Sequence, residues 1–372
     1  VNAHEVLIVA GEVSGDMHAG NMLAELRGLA PHVKAFGIGG DRLREAGLEL
    51  VARTDELAHM GLVEVLRELP RIRRVLNLLV EEARRRRPAV AVLVDSPDFN
   101  LRLAARLRKL GIPVVLYVSP QLWAWRKGRV RTVRRLAREV LCILPFEVEF
   151  YQAHGARARY VGHPLVDEID RVGLLELPPS QRSEQLSLMP GSRAMEVRQL
   201  LPVMVRTLRS IAPERIRKAV LIEAPGMESE ISSVLSEYGG DSRLIRVGGE
   251  DRRKALAGSV LAWTASGTAT LECTLLNVPM VVGYRLQTIS FALAKLLVRV
   301  PHVALVNLIA GTKLAPELLQ TEWNPGRLAG VTEEMLGGGA KAQMEGLAAA
   351  RARLGRPGAS RKAAEAVREY LG

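Results

Sequence analysis

Short apolar runs rich in β-branched residues recur along the first half of the chain, at 5–10, 35–38, 89–94, 114–118, 140–144 and 159–161. Between them, 17–29, 70–87 and 101–110 carry apolar residues at helical spacing, with Pro70 suited to a first helical turn. The runs are continuous rather than alternating, the pattern of strands covered on both faces, and their alternation with helices predicts a parallel sheet with crossover helices. From 167 to 184 the chain turns polar and irregular around Pro178-Pro179, and a second series follows at 186–189, 219–223, 244–247, 260–263 and 280–283. This reads as a linker and a second parallel α/β domain. The break at Gly337-Gly338-Gly339 sets off a helix-rich tail, giving predicted domains of 1–165 and 166–340 and C-terminal helices over 341–372. The expected fold class is therefore α/β, two Rossmann-like domains facing a central cleft, with ligands beyond the carboxyl ends of the strands.

Composition sharpens this picture. A chain of 372 residues, 48% hydrophobic and 25% charged, excludes disordered and fibrous classes, and its length argues for two domains. The net charge of +12 favours an anionic partner, either nucleic acid, a phosphorylated metabolite or a lipid surface. Four Trp, six Tyr and five Phe are too few for a stacking platform, and no nucleic-acid reading motif is present, so nucleic acid is not expected. Cys142 and Cys273 lie in apolar stretches and read as free buried thiols of a reducing compartment. The first apolar run ends in a glycine loop rather than a signal-peptide cleavage site, which predicts a cytoplasmic location. Over 255–294 the charges are Glu272 and Arg285, yet polar residues interrupt every apolar run before the roughly 20 residues that cross a bilayer.

The loops after the strands carry the candidate chemistry. Gly11-Glu12-Val13-Ser14-Gly15-Asp16 precedes a helix and is either an anion-binding turn or a tight turn in which Asp16 caps that helix. Gly37 to Asp41 reads first as turn chemistry. Asp95 and Asp98 lie in DSPDFN after the third run, where a carboxylate is placed for general-base work on a hydroxyl. Asp95 is the better base candidate, while Asp98 or Asn100 is expected to cap a helix starting near Leu101. Trp123 and Trp125 precede a basic stretch containing Arg126, Lys127, Arg129, Arg131, Arg134, Arg135 and Arg138, either a solvated helix face or an anion surface.

In the second half, Pro190, Gly191 and Ser192 let backbone amides approach phosphate, and Arg193 can fork two hydrogen bonds to it. Ser266, Gly267 and Thr268 aim a second helix N-terminus at an anion, and Glu272, an odd charge in an apolar stretch, suits ribose hydroxyls. Together they suggest a nucleotide diphosphate. Neither loop is a Walker A sequence, which argues against ATP hydrolysis. Asn307 either closes over a ligand or bonds its own backbone, and His163 serves a hinge, packing or acid role. No His and carboxylate cluster has metal-ligand spacing.

These loops belong to a longer series of blocks: GEVSGD at 11–16, MGLVEVL at 60–66, DSPDFN at 95–100, YVSPQLWAWR at 117–126, LPFE at 144–147, VGHPLVD at 161–167, MPGSR at 189–193, SGTATLE at 266–272 and VPMVVGYR at 278–285. In this order they resemble lipid-A-disaccharide synthase, a family of inverting glycosyltransferases. The resemblance implies a GT-B fold, with the nucleotide sugar held by the second domain and the acceptor by the first. It further implies transfer from UDP-2,3-diacylglucosamine to 2,3-diacylglucosamine 1-phosphate, giving a β-1,6-linked disaccharide 1-phosphate and UDP, with no cofactor and no metal. Asp95 would be the base, and Arg193 with the amides of 266–268 would steady the departing UDP. Gly11, Ser14, Gly15, Asp16, Asp98, Pro190, Gly191, Ser192, Glu272 and Asn307 would line the substrates. Both substrates are lipids, so peripheral docking on the inner face of the cytoplasmic membrane is expected, with Leu62, Val65, Leu66, Leu69, Ile72, Leu76 and Leu79 either on the docking surface or in the core. A homodimer is one arrangement open to such a chain, its C-terminal helices packing on their own first domain or on a partner's. Val13 stands where threonine is common in the family, a change that bears on acyl-chain and acceptor preference. The rival enzyme reading is a UDP-N-acetylglucosamine 2-epimerase, which needs no second substrate. A nucleotide- or membrane-binding protein without chemistry, or a dinucleotide oxidoreductase, would be the remaining alternatives.

Overall fold

The computed structural model describes residues 2–54, 65–124, 127–175, 182, 185–285 and 301–372. The chain forms two compact units, Val1–Asp167 with Arg356–Gly372, and Glu168–Gly355.

The first unit is built on β1 (Asn2–Ala10), β2 (Lys34–Gly39), β3 (Leu48–Arg53), β4 (Pro88–Val94), β5 (Val114–Tyr117), β6 (Glu139–Cys142) and β7 (Ala158–Tyr160). They form one parallel sheet in the order β3-β2-β1-β4-β5-β6-β7. Every residue of β4 is buried, as its continuous apolar run predicts for a central strand covered on both faces. The edge strand β3 escapes the sequence pattern because its exposed Glu49 and Arg53 dilute the apolar signal. At Gly37, where φ is 146°, a side chain would drive into the Ile8 carbonyl, so the close pairing of β1 and β2 requires glycine there.

Two helix starts differ from expectation. The helix after β4 runs Pro97–Lys109, so Asp98 and Asn100 lie inside its first turn rather than capping a later start; the fixed φ of Pro97 suits the first helical position. Pro70 lies within the helix Val65–Arg86, not in its first turn. Ile72, Leu76 and Leu79 from this helix are buried in the first core, so these three are core and not docking surface. Residues 60–64 and the side chains of 65–69, which carry the rest of that expectation, lie outside the described residues, as do Trp125, Arg126 and Pro178-Pro179.

The C-terminal helix Ala359–Arg368 belongs to the first unit. Both carboxylate oxygens of Asp167 accept its leading amides, from Gly358 at 2.6 Å, Ala359 at 3.1 Å and Ser360 at 2.9 Å. That is an N-cap supplied from far away in sequence. Arg159 forks onto Glu369 at 2.6 and 3.0 Å.

The second unit has β8 (Gln185–Met189), β9 (Lys218–Ile222), β10 (Leu244–Val247), β11 (Leu261–Ala265), β12 (Met280–Tyr284) and β13 (Glu317–Leu319), parallel in the order β10-β9-β8-β11-β12-β13. At three residues, β13 is too short to show a period. The helix Ala340–Leu354 stays with this unit: the Gln343 amide accepts from the Met280 amide at 2.6 Å and donates to its carbonyl at 3.1 Å. The glycine triplet is a kink, with Gly338 at φ 135°, and the chain crosses to the first unit only after Gly355. Cys142 and Cys273 are free and buried.

Candidate active site

In each unit the strand order reverses direction once, between β1 and β4 and between β8 and β11. In open α/β sheets a reversal of this kind is where ligands bind, outside the carboxyl ends of the strands. Four of the loops singled out in the sequence, those after β1, β4, β8 and β11, sit at these two points.

In the first unit, the β1 and β4 loops pack closely. A side chain on Gly11 would place its Cβ 2.5 Å from the Cβ of Ser96, and one on Gly15 would stand 3.4 Å from the Cβ of Asp95. The Ser14 hydroxyl donates to Asp95 Oδ2 at 3.4 Å, and the Ser96 amide donates to Oδ1 at 3.0 Å. Asp95 and Ser96 both take left-handed backbone conformations, with φ of 53° and 43°. Such non-glycine residues each cost on the order of 1–3 kcal/mol and persist only where their surroundings hold them. The holder is Asn100, fully buried, whose side-chain amide donates to the carbonyls of Val94, at 3.2 Å, and Asp95. The result is a half-buried carboxylate fixed at the switch point with both oxygens accepting bonds. Asp98 lies in the first turn of the helix and pairs with Arg129 at 2.5 Å, which leaves Asp95 as the carboxylate of the loop.

Asp16 has a different task from capping its own helix. It is buried and accepts the amides of Gly40 at 2.6 Å, Arg42 at 3.1 Å and Leu43 at 3.2 Å, so it organises the loop after β2. No oxygen of Asp16 is turned to a ligand there, because both serve the short helix Asp41–Glu45.

Glu147 and Trp123 support the neighbouring strand end, a role that the LPFE block did not reveal. Glu147 is buried, with Oε1 accepting the Trp123 indole at 3.1 Å and Oε2 accepting the Leu144 amide at 3.1 Å. Burial pushes its carboxyl up to about 7, with hydrogen bonds from Ser119, Leu144 and Trp123 pulling the other way. Buried His163 accepts the Leu165 amide on Nδ1 at 3.2 Å. Burial first, and the charge of His18 second, press its pKa down to about 3, so it is neutral near pH 7 and reads as a packed residue rather than an acid.

In the second unit, the loop from Pro190 ends in Arg193 at the start of the helix Ala194–Ser210. Gly191, at φ 116°, has Glu196 where a Cβ would go. Glu196 was not singled out in the sequence. Its carboxylate accepts the Ser192 amide at 3.1 Å and Arg193 Nη1 at 3.2 Å, which shows that this turn offers an amide and a guanidinium to an oxyanion. The Arg193 side chain is 80% exposed. The β11 loop has Gly267 at φ 123° and an exposed Thr268 opening the helix Thr268–Leu275, while the Ser266 hydroxyl donates to the Val303 carbonyl at 2.9 Å.

Two residues of this half are engaged internally. Glu272 is buried and accepts from Arg252 at 3.3 Å and Arg253 at 3.2 Å, with Arg253 also paired to Glu168. Its charge is thus balanced by arginines of the helix Asp251–Ala257 and not left for a hydroxyl alone. Asn307 is fully buried and does not close over a ligand: its amide accepts from the Ala315 amide at 2.7 Å and donates to the Ala315 carbonyl at 2.9 Å and to Glu317 at 2.8 Å. Among the described residues, no group of three or more His, Cys, Asp or Glu is placed to hold a metal ion.

Known proteins match this arrangement. A family model described as lipid-A-disaccharide synthetase matches residues 6–369. The lipid-A-disaccharide synthase of Anaeromyxobacter sp. (strain K) is 46% identical, over 98% of this chain and 96% of that protein. Among solved structures, MurG of Acinetobacter baumannii aligns with TM-score 0.61 at 13% identity over 98% of this chain and 99% of that one. The UDP-GlcNAc 2-epimerase of Neisseria meningitidis aligns with TM-score 0.65 at 12% identity over the same shares. At such identities the structural likeness establishes the fold alone, which is GT-B.

Proposed function

Since the chain belongs to the lipid-A-disaccharide synthetase family, we propose that it transfers the sugar of UDP-2,3-diacylglucosamine to 2,3-diacylglucosamine 1-phosphate, forming the β-1,6-linked disaccharide 1-phosphate and UDP. The near full-length family match carries this reading, and the epimerase alternative has only a shared fold behind it.

In the proposed mechanism, Asp95 takes the proton of the acceptor 6-hydroxyl as that oxygen attacks the anomeric carbon from the face opposite UDP. The bond from that carbon to the diphosphate breaks, its electron pair leaves on the phosphate oxygen, and the anomeric configuration inverts. Arg193 and the amides of Ser192 and of the turn at 266–268 take up the charge on departing UDP. Glu196 would yield the Ser192 amide and Arg193 to the diphosphate, since two anions cannot share them without repulsion. Val13, 82% exposed beside Ser14, offers an apolar contact to an acylated substrate.

Both substrates carry acyl chains, so the enzyme would meet them at a membrane surface, peripherally and on its cytoplasmic face. No helix among the described residues is long and apolar enough to cross a membrane. The reading is tested by supplying donor and acceptor in EDTA and following UDP and disaccharide together. Disaccharide from the wild type, and from neither folded Asp95→Ala nor folded Arg193→Ala, is the expected result. UDP release without disaccharide would refute transfer.

A further inference from the structure

At the amino ends of β5 to β7, the opposite end of the sheet from Asp95, the first unit opens a cavity of about 720 Å³. It is lined by Arg108, Arg134, Arg135, Arg138 and Arg157, with Glu369 from the C-terminal segment. The acidic member is already taken, because Arg159 forks onto both Glu369 oxygens. Arg157 pairs with buried Glu139 at 3.3 Å, and Arg108 donates to the Arg135 carbonyl at 2.7 Å. Arg134, Arg135 and Arg138 pair with no carboxylate among the described residues, and Arg134 and Arg135 also border an adjoining cavity of about 440 Å³ with Arg131.

Like charges gathered around a concavity repel one another unless an anion answers them, and the planar guanidinium fork matches phosphate oxygens in pairs. The seam Val130, Val133 and Leu136, buried at helical spacing, pins the short helix Val130–Leu136 that presents Arg134 and Arg135. The volume falls in the range of small-molecule sites. The strand β5 runs from Val114 on the cavity wall to Tyr117, whose carbonyl accepts the Asp95 amide, a span of roughly 10 Å at about 3.3 Å per residue.

We propose that this arginine-lined cavity is a second ligand site, distinct from the site at Asp95, that takes a phosphate-bearing anion through Arg134, Arg135 and Arg138. The phosphate comes either from a lipid headgroup, which would tether the enzyme near its substrates, or from a soluble metabolite.

The test uses the full chain in an Arg193→Ala background, which weakens anion binding at the diphosphate turn of the second unit. Inorganic pyrophosphate is titrated calorimetrically, and flotation is measured with vesicles of phosphatidylglycerol in phosphatidylcholine against phosphatidylcholine alone. Binding of at least one probe, weakened by about tenfold or more in Arg134→Ala/Arg135→Ala/Arg138→Ala, is expected. Vesicle binding alone identifies a headgroup and pyrophosphate binding identifies a soluble source. Arg134→Gln/Arg135→Gln serves if the triple variant does not fold. A control lacking Arg206, Arg217 and Arg327, exposed in the second unit, removes equal charge. Binding of neither probe, unchanged binding in the cavity variants, or equal loss in the control would overturn the proposal.

Discussion

The two switch points share one topology and offer opposite chemistry. Between β1 and β4 the loop presents a carboxylate on two non-glycine residues forced into left-handed conformations and held there by Asn100. Between β8 and β11 the turns place glycines at positive φ and present amide hydrogens and Arg193. A strained Asp-Ser pair costs folding energy but fixes a carboxylate, whereas glycine turns leave room for an anion to approach the backbone. The same strand order thus presents a fixed carboxylate in one unit and hydrogen-bond donors in the other, and the difference lies in the loops.

The sharpest way to break this division is to remove each charge. Asp95→Asn should lower kcat by about 10²–10⁴ and leave UDP affinity unchanged. Arg193→Ala should lower kcat by roughly 10²–10³ and also weaken UDP. If steady-state kinetics and UDP titration gave both variants the same profile, the assignment of separate roles would fail.

Next come the glycines. Gly191→Ala meets both the positive φ and the Glu196 carboxylate, so it should lose on the order of 1–3 kcal/mol of stability in denaturant unfolding and bind UDP less tightly. Gly11→Ala pushes on Ser96 and should reduce turnover while UDP binding stays intact.

A smaller effect, of pH, lies within the first unit. Glu147 holds its proton in the folded state up to about 7 but releases it near 4.5 when unfolded, so its contribution falls as pH rises through that window. His163 has its folded pKa pressed to about 3 against 6.5 unfolded, so its contribution is lost as pH falls below 6.5. The slopes oppose each other between pH 4.5 and 6.5. Glu147→Gln should therefore leave stability rising with pH there, by about 1.4 kcal/mol per unit, and His163→Asn should leave it falling by as much. Unfolding curves across that range that kept the wild-type slope in both variants would contradict the balance.

The smallest expected change is at Glu196. Glu196→Gln removes a negative charge from the anion turn and should tighten UDP by a few-fold, about 0.3–1 kcal/mol, in calorimetry. Weaker binding would mean that Glu196 orders the turn more than it competes for it.

The apolar runs and helical spacing of the sequence determined the strands that carry the site, the two α/β series and the loops that reach the two switch points, because burial on both faces and backbone freedom at glycine are written locally. The edge strands β3 and β13 were not legible: one is diluted by charge, the other too short for a period. Pairings were decided only by the tertiary structure. Asp16 could not be known to hold the amides of Gly40 to Leu43, nor Asn307 to be sealed against Ala315, nor Asp98 to be drawn to Arg129, while Asp95 stayed at the switch point. A short polar side chain looks the same in sequence whether it meets a ligand or a buried amide. Which one it meets depends on the strand order, and that order brings together residues tens to hundreds of positions apart.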